Sequence, residues 1–186
     1  MLLNNKTMLN PVGFQVVVLI LLFFPVLSCN SGYDQKSEKR TSKKQLEESL
    51  FEANKKAVKT EDQQIEDFIR RHNWNMKESG TGLRYRIYEQ GNGEQAAEGK
   101  VAVIGYEVSL LNGEVVYSSD HTGPKEFMIG RGGVESGLEE GILLLQVGDR
   151  AKFIIPSHLA YGLSGDEDKI TGKTTLVYDV NLIELK

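Results

Sequence analysis

Between Leu83 and Leu182 the sequence is a series of short segments in which apolar and polar residues alternate, and no other feature constrains the fold as strongly. Alternation with a period of two indicates half-buried β-strands. These segments are residues 83–88, 102–110, 114–118, 127–129, 151–155 and 176–182. Asn112-Gly113 separates two of them, and this dipeptide is a strong signal for a tight hairpin. The pattern therefore predicts an antiparallel sheet.

One helical run interrupts the strands, from Ser136 to Gln146. Leu138, Ile142 and Leu145 share one face of it, and Ser136 is a candidate N-cap. Because this apolar face needs cover, we predict an α+β domain in which a curved antiparallel β-sheet wraps around a short α-helix.

The N-terminal sequence has the pattern of a targeting segment. Lys6 precedes an apolar run from Val16 to Leu27, which is shorter than the about 20 apolar residues that a membrane-spanning helix needs. Ser28 and Cys29, the only cysteine, follow directly and resemble a bacterial lipobox. We expect residues 1–28 to be a lipoprotein signal peptide and Cys29 to carry the lipid that anchors the chain to a membrane. An uncleaved membrane helix with an incidental cysteine is the alternative.

Residues 29–45 are polar and predict a flexible tether, either a solvated linker or a basic segment that touches anionic headgroups. Residues 46–78 are predicted as a helical extension. Its apolar residues recur at helical spacing, with a new start expected at the capping box Thr60–Gln63 and an end at Asn73: Leu46, Leu50, Ala53, Ala57, Ile65, Phe68 and Ile69. This stripe would pack on the following domain or on a second copy, which makes a homodimer an expected partner.

Several functional classes are disfavoured. The net charge of −4 gives no reason to expect a nucleic-acid partner. A single cysteine cannot form an internal disulfide, and the scattered histidines His72, His121 and His158 lack metal-ligand spacing. We expect no metal and no cofactor.

A set of landmarks follows in order along residues 80–186. They are Val103-Ile104-Gly105-Tyr106, Leu111-Asn112-Gly113, Tyr117-Ser118-Ser119, Phe127-Met128-Ile129-Gly130, Gly137-Leu138-Glu139-Glu140-Gly141, Val147 to Phe153, Ile155-Pro156, Ala160-Tyr161-Gly162 and Leu176 to Val180. This series resembles the FK506-binding protein (FKBP) family of peptidyl-prolyl isomerases. With the lipobox and the helical spacer, the chain is also similar to the gliding-motility-associated isomerase lipoproteins of gliding bacteria.

The resemblance implies an isomerase with an apolar prolyl pocket that acts on proline-containing polypeptides. Tyr106, Phe127 and Tyr178 would form its walls, and Tyr161 would donate its hydroxyl to the substrate carbonyl. The remaining substrate-binding positions would be Val116, Val134, Glu135 through its backbone N–H, Leu138 as the floor, and Ile170. The implied role is folding of exported proteins in the cell envelope, on a lipid-anchored protein that faces the periplasm.

The chain departs from the family pattern at the pocket. Leu138 stands where tryptophan is usual, Val116 replaces phenylalanine, Tyr117 stands where an acid is usual, and Glu135 replaces an apolar residue. These departures favour weak activity or a shifted substrate preference. Without the resemblance, the same residues would be read as core packing. A non-catalytic chaperone or binding module, and a structural envelope lipoprotein, remain as alternatives.

Overall fold

The computed structural model describes residues 35–186, so the predicted signal peptide and Cys29 lie outside the described residues. The chain divides into two compact units, Met1–Glu47 and Glu48–Lys186, and the second holds the sheet. Among the described residues, no helix combines the length and the apolar character required to cross a membrane.

The first element is a single helix, α1, at Gln35–His72. It begins ten residues before the predicted end of the tether, and it runs through Thr60, whose hydroxyl donates to the carbonyl of Lys56 at 2.9 Å instead of capping a new helix. The prediction of two helices after a tether to residue 45 was therefore wrong. The Lys-, Glu- and Gln-rich sequence has a high helix propensity even where it buries nothing. The predicted end was right: Asn73 follows in a left-handed conformation, with φ of 53°.

The predicted antiparallel sheet is confirmed, with the order β1-β2-β6-β7-β3-β4 and with β5 also pairing with β3. The strands are β1 (Lys77–Glu78), β2 (Arg84–Glu89), β3 (Val101–Leu110), β4 (Val115–Ser118), β5 (Lys125–Met128), β6 (Arg150–Ile155) and β7 (Leu176–Leu185). β4 and β5 pair with opposite ends of β3, and the helical turn α2 (Ser119–Thr122) lies between them. Residues 77–78 of the predicted helical extension are thus part of the sheet, because Lys77 pairs with Tyr85.

The short helix α3 (Ser136–Leu143) packs on one face of the sheet, as predicted. Its residues Leu138 and Ile142 are fully buried in the main apolar cluster together with Phe153 of β6 and Tyr178 of β7. The N-cap is Glu135, without a side-chain cap bond, and the hydroxyl of Ser136 donates instead to the carbonyl of Leu159 in the 3-10 helix Ser157–Leu159. The predicted role of Ser136 as N-cap was wrong.

The last turns of α1 cover the other face of the sheet. Ile65 and Phe68 are buried against Ile154 and Val177, which alternate with the residues that face α3. At the end of the helix Trp74 packs edge-on against Phe68, with ring centroids 5.4 Å apart. The sheet is therefore covered on both faces, by α3 on one and by the C-terminal part of α1 on the other.

Candidate functional site

The structure brings the predicted apolar and aromatic pocket residues into one cluster between α3 and the sheet. Five of them are buried there: Val116, Phe127, Leu138, Ile170 and Tyr178. Tyr106, Val134 and Tyr161 are partly buried and pack against its edge. Residues from four strands, one helix and two loops therefore meet at one place, as the predicted pocket requires.

Strand register explains how the aromatic walls come together. Val108 of β3 pairs with Tyr178 of β7, and Tyr106 pairs with Val180. Because side chains alternate along a strand, Tyr106 and Tyr178 are diagonal neighbours on the same face of the sheet. Phe127 reaches this face from β5, where it pairs with Ala102 of β3. The backbone N–H of Tyr106 donates to Ser119 Oγ at 2.9 Å, which ties β3 to α2.

Two glycines let α3 lie close to the sheet. A Cβ atom at Gly137 would lie 2.4 Å from Ile155 Cγ2, and one at Gly141 would lie 2.7 Å from the Phe153 ring. Such contacts are far inside van der Waals distance, so the close approach requires glycine at both positions. Leu138 lies between these two glycines and is fully buried in the cluster.

The loop after Tyr161 places the carboxylate of Asp166 beside Tyr117 of β4. The Tyr117 hydroxyl donates to Asp166 Oδ2, and Asp166 Oδ1 accepts the backbone N–H groups of Asp168 at 3.0 Å and Ile170 at 2.7 Å. Although partial burial opposes it, these hydrogen bonds hold the pKa of Asp166 below its ordinary value. The tyrosine in the strand and the acid in the loop thus lie together at the rim, and they position Ile170.

The side chain of Glu135 makes a buried hydrogen bond that the sequence did not indicate. The residue is only 7% exposed, and its Oε1 accepts a hydrogen bond from the Tyr178 hydroxyl at 2.9 Å. Oε2 has no hydrogen-bond partner among residues 35–186. No loop backbone bond described for these residues uses the Glu135 N–H as donor, so its predicted pairing with substrate remains a prediction.

The tyrosine hydroxyls stay protonated over the ordinary range of pH. Burial raises the pKa of Tyr178 well above its usual value, and the adjacent Glu135 carboxylate adds to the effect. Burial likewise raises the pKa of Tyr161, and the nearby carboxylates of Glu135 and Asp166 raise it further. Both groups are therefore available as hydrogen-bond donors.

The cluster is mainly apolar. Within the part of the chain that the structure describes, no group of three or more His, Cys, Asp or Glu side chains could hold a metal ion. What the arrangement offers is an apolar site rimmed by tyrosine hydroxyls. Neither Glu135 nor Asp166 carried a local sequence signal for its role, since both act through contacts with residues distant in the chain.

Comparison with known proteins gives consistent matches. Residues 92–183 match the family described as FKBP-type peptidyl-prolyl cis-trans isomerase. The chain is 40% identical over 111 residues to a probable FKBP-type peptidyl-prolyl cis-trans isomerase FkpA of Neisseria meningitidis. The matched region covers 59% of this chain and 40% of that protein. It is 36% identical over 107 residues to the peptidyl-prolyl cis-trans isomerase FKBP1A of Xenopus laevis, covering 56% of this chain and 99% of that protein.

The solved structure of FkpA from Escherichia coli is also similar. It has a TM-score of 0.62 at 28% identity and covers 94% of this chain and 82% of that one. By sequence, the match takes in only about 40% of the length of the FkpA proteins.

Proposed function

Because the chain belongs to the FKBP-type peptidyl-prolyl cis-trans isomerase family, we propose that residues 80–186 catalyse rotation about X–Pro bonds in exported polypeptides. One observation carries the proposal beyond family membership. The predicted pocket residues meet in a single apolar cluster, with Tyr106 and Tyr161 partly exposed at its edge.

The proposed chemistry needs only selective binding. Amide resonance gives rotation a barrier of about 18–20 kcal/mol, and no bond has to break. A site that binds the twisted amide better than the planar one lowers that barrier. The apolar cluster around Leu138 would exclude water from the twisted bond, and Tyr161 would donate to a substrate carbonyl while the Glu135 N–H holds the flanking chain.

A proline-isomerisation assay on the full chain tests this function. We expect faster cis-to-trans exchange of an X–Pro peptide at micromolar protein. Exchange at the uncatalysed rate would remove the enzyme and favour a non-catalytic chaperone or binding module. That second function would appear as suppressed aggregation of a client whose folding has no slow proline step.

The cellular setting is the next part of the proposal. We place the protein in the cell envelope, facing the periplasm and anchored by lipid on Cys29, where it would assist exported proteins, including those of gliding motility. Support comes from the lipobox Val26–Cys29 and the preceding apolar run. Cys29→Ala should leave an unprocessed precursor or release the chain from membranes. Normal processing and retention of this variant would contradict lipidation, and unchanged gliding after gene deletion would contradict the motility role.

The exposed part of α1 supports a homodimer. Leu50, Phe51 and Val58 are 54%, 65% and 58% exposed, and every residue from 48 to 60 is exposed. An isolated helix is marginal in water, and a second copy offers a matching apolar stripe. Leu50→Lys should lower the mass measured by analytical ultracentrifugation, whereas Glu52→Lys should not. A monomeric wild-type chain would contradict the dimer.

A further inference from the structure

Glu135 places a carboxylate inside the site that the proposed function assigns to substrate. The residue is only 7% exposed, and the Tyr178 hydroxyl donates to Oε1 alone. Burying a carboxylate oxygen without a hydrogen-bond partner is costly, so such groups are rare in native proteins unless another group completes them. Oε2 of Glu135 is such an oxygen within residues 35–186.

Glu135 has no cationic side-chain partner among the described residues. No Lys, Arg or His among residues 35–186 forms an ion pair with its carboxylate. The hydrogen bond described for its side chain comes from the hydroxyl of Tyr178, which is neutral. A carboxylate accepts its strongest hydrogen bonds from cations.

The rim of the same site carries further negative charge. Asp166 and Asp168 both lie within hydrogen-bond distance of the Tyr117 hydroxyl. Lys169 is the cation at this rim, and its ammonium group donates to the carbonyl of Val116 at 3.0 Å and lies 5.0 Å from the centre of the Tyr117 ring. Among these groups the carboxylates of Glu135, Asp166 and Asp168 outnumber the ammonium group of Lys169, which favours a positively charged ligand.

We propose that Glu135 is a specificity-determining residue that selects substrates with lysine or arginine next to the proline. The inference rests on the proposed isomerase function of the same site. When Tyr161, which lies beside Glu135, turns its hydroxyl to the substrate carbonyl, it gives the substrate ammonium or guanidinium group access to the buried Oε2. The cation donates to Oε2, and its aliphatic stem lies along the apolar side chains of the cluster.

The test compares isosteric peptides on the full chain. Two series carry lysine, arginine, norleucine or glutamate, one immediately before the proline and one immediately after it. Norleucine has the lysine stem without the ammonium group. We expect kcat/KM about tenfold higher for lysine than for norleucine in at least one series, the size of one charge-assisted hydrogen bond. Equal rates for lysine and norleucine in both series would overturn the proposal.

Variants separate Glu135 from general electrostatics. Glu135→Gln keeps the shape of the side chain and should bring the lysine preference within about twofold of norleucine, since only a neutral acceptor remains. Glu184→Gln removes the same charge from an exposed position near the end of β7 and should keep the full preference. A preference that persists in Glu135→Gln would assign the cation to another group and overturn the inference.

Two further measurements, the carboxyl carbon resonance of Glu135 and the peptide affinities, test the inference where reaction rates alone cannot. If Glu135→Gln unfolds, the carboxyl carbon resonance of Glu135 in the unaltered chain should shift with the lysine peptide and not with the norleucine peptide. If no peptide is isomerised faster, the proposed function fails. Peptide affinities then decide the inference separately, with tighter binding of lysine than norleucine supporting it and equal or undetectable binding overturning it.

Discussion

Tyr161 lies at the edge of the apolar cluster, close to Glu135, where we propose that its hydroxyl contacts a bound peptide. Its position after the 3-10 helix is held by the backbone, since the N–H of Gly162 donates to the carbonyl of Ser157 at 2.8 Å. Loss of the hydroxyl should therefore change substrate contacts without moving the loop.

We expect Tyr161→Phe to lower kcat/KM about tenfold, because the hydrogen bond that we propose to the substrate carbonyl is lost. The isomerisation assay measures this, and urea unfolding checks that stability is kept. Tyr88→Phe is the matched control. This variant removes a tyrosine hydroxyl that donates to Asp179 at 2.6 Å on the face of the sheet opposite α3. The activity of Tyr88→Phe should therefore equal that of the wild type. Equal activity of both variants would show that Tyr161 has no role in catalysis.

At the residue scale, the sequence predicted which residues meet in the apolar cluster but not the polar contacts around them. Tyr106 and Tyr178 follow from strand alternation, and their meeting follows from antiparallel pairing. The buried carboxylate of Glu135 and the bond from Tyr117 to Asp166 depend on contacts 43 and 49 residues apart in the chain. No local pattern reports such contacts.

At the element scale, the contact of α3 with the sheet depends on two residues that have no side chain, Gly137 and Gly141. We expect Gly141→Ala to lower the free energy of unfolding by about 1–3 kcal/mol, because its Cβ would overlap the Phe153 ring and force the helix outward. Urea denaturation measures the change. Gly80→Ala is the control, since nothing lies within 4 Å of a Cβ there and its φ is ordinary, and it should be nearly neutral. An equally stable Gly141→Ala would contradict the close packing.

The loop around Asp166 should be sensitive to acid. The hydrogen bonds that keep the pKa of Asp166 below its ordinary value of 3.8 stabilise the folded state while the carboxylate is ionised. A lowered folded-state pKa gives stability that is present above 3.8 and lost as the pH falls through the folded value.

We therefore expect Asp166→Asn to be less stable than the wild type at about pH 7, and the difference to narrow as the pH falls below the ordinary Asp value. Thermal unfolding across a pH series measures this. Asp168→Asn, on an exposed side chain of the same loop, should show a smaller difference at every pH. A stability difference for Asp166→Asn that does not change with pH would contradict the assignment.

The longer elements were predictable because their patterns repeat. β3 and β7 span several alternations each, and both lie close to their predicted bounds. β1 has two residues and α2 has four, too few for any period to be seen. The start of α1 was missed for a different reason: its N-terminal part has helix propensity without an amphipathic stripe.

At the scale of the whole molecule, the unit from Glu48 to Lys186 depends on how α1 is fixed to the sheet. Glu61 of α1 accepts the backbone N–H of Ser157 at 2.6 Å, the Ser157 hydroxyl at 3.0 Å and the Thr175 hydroxyl at 2.6 Å. Arg84, which is 5% exposed, donates to Asp62 and Glu66. These bonds surround the apolar contact of Ile65 and Phe68 with the sheet.

We expect Glu61→Ala to lower the free energy of unfolding by about 1–3 kcal/mol, since it leaves three donors at Ser157 and Thr175 unpaired. Hydrogen exchange should show faster exchange in residues 61–72 of α1. Glu52→Ala, on the exposed part of the helix, should change neither quantity. Unchanged exchange in Glu61→Ala would mean that the apolar contacts alone hold the helix in place.

The single tryptophan makes that attachment visible to spectroscopy. Trp74 contacts Phe68 of α1 and lies 5.1 Å from the ammonium group of Lys152 on the sheet. Its fluorescence emission should shift to the red when the helix lifts away, even while β-sheet circular dichroism is unchanged. Intrinsic emission thus offers a label-free signal for this joint, one that can be recorded during peptide turnover.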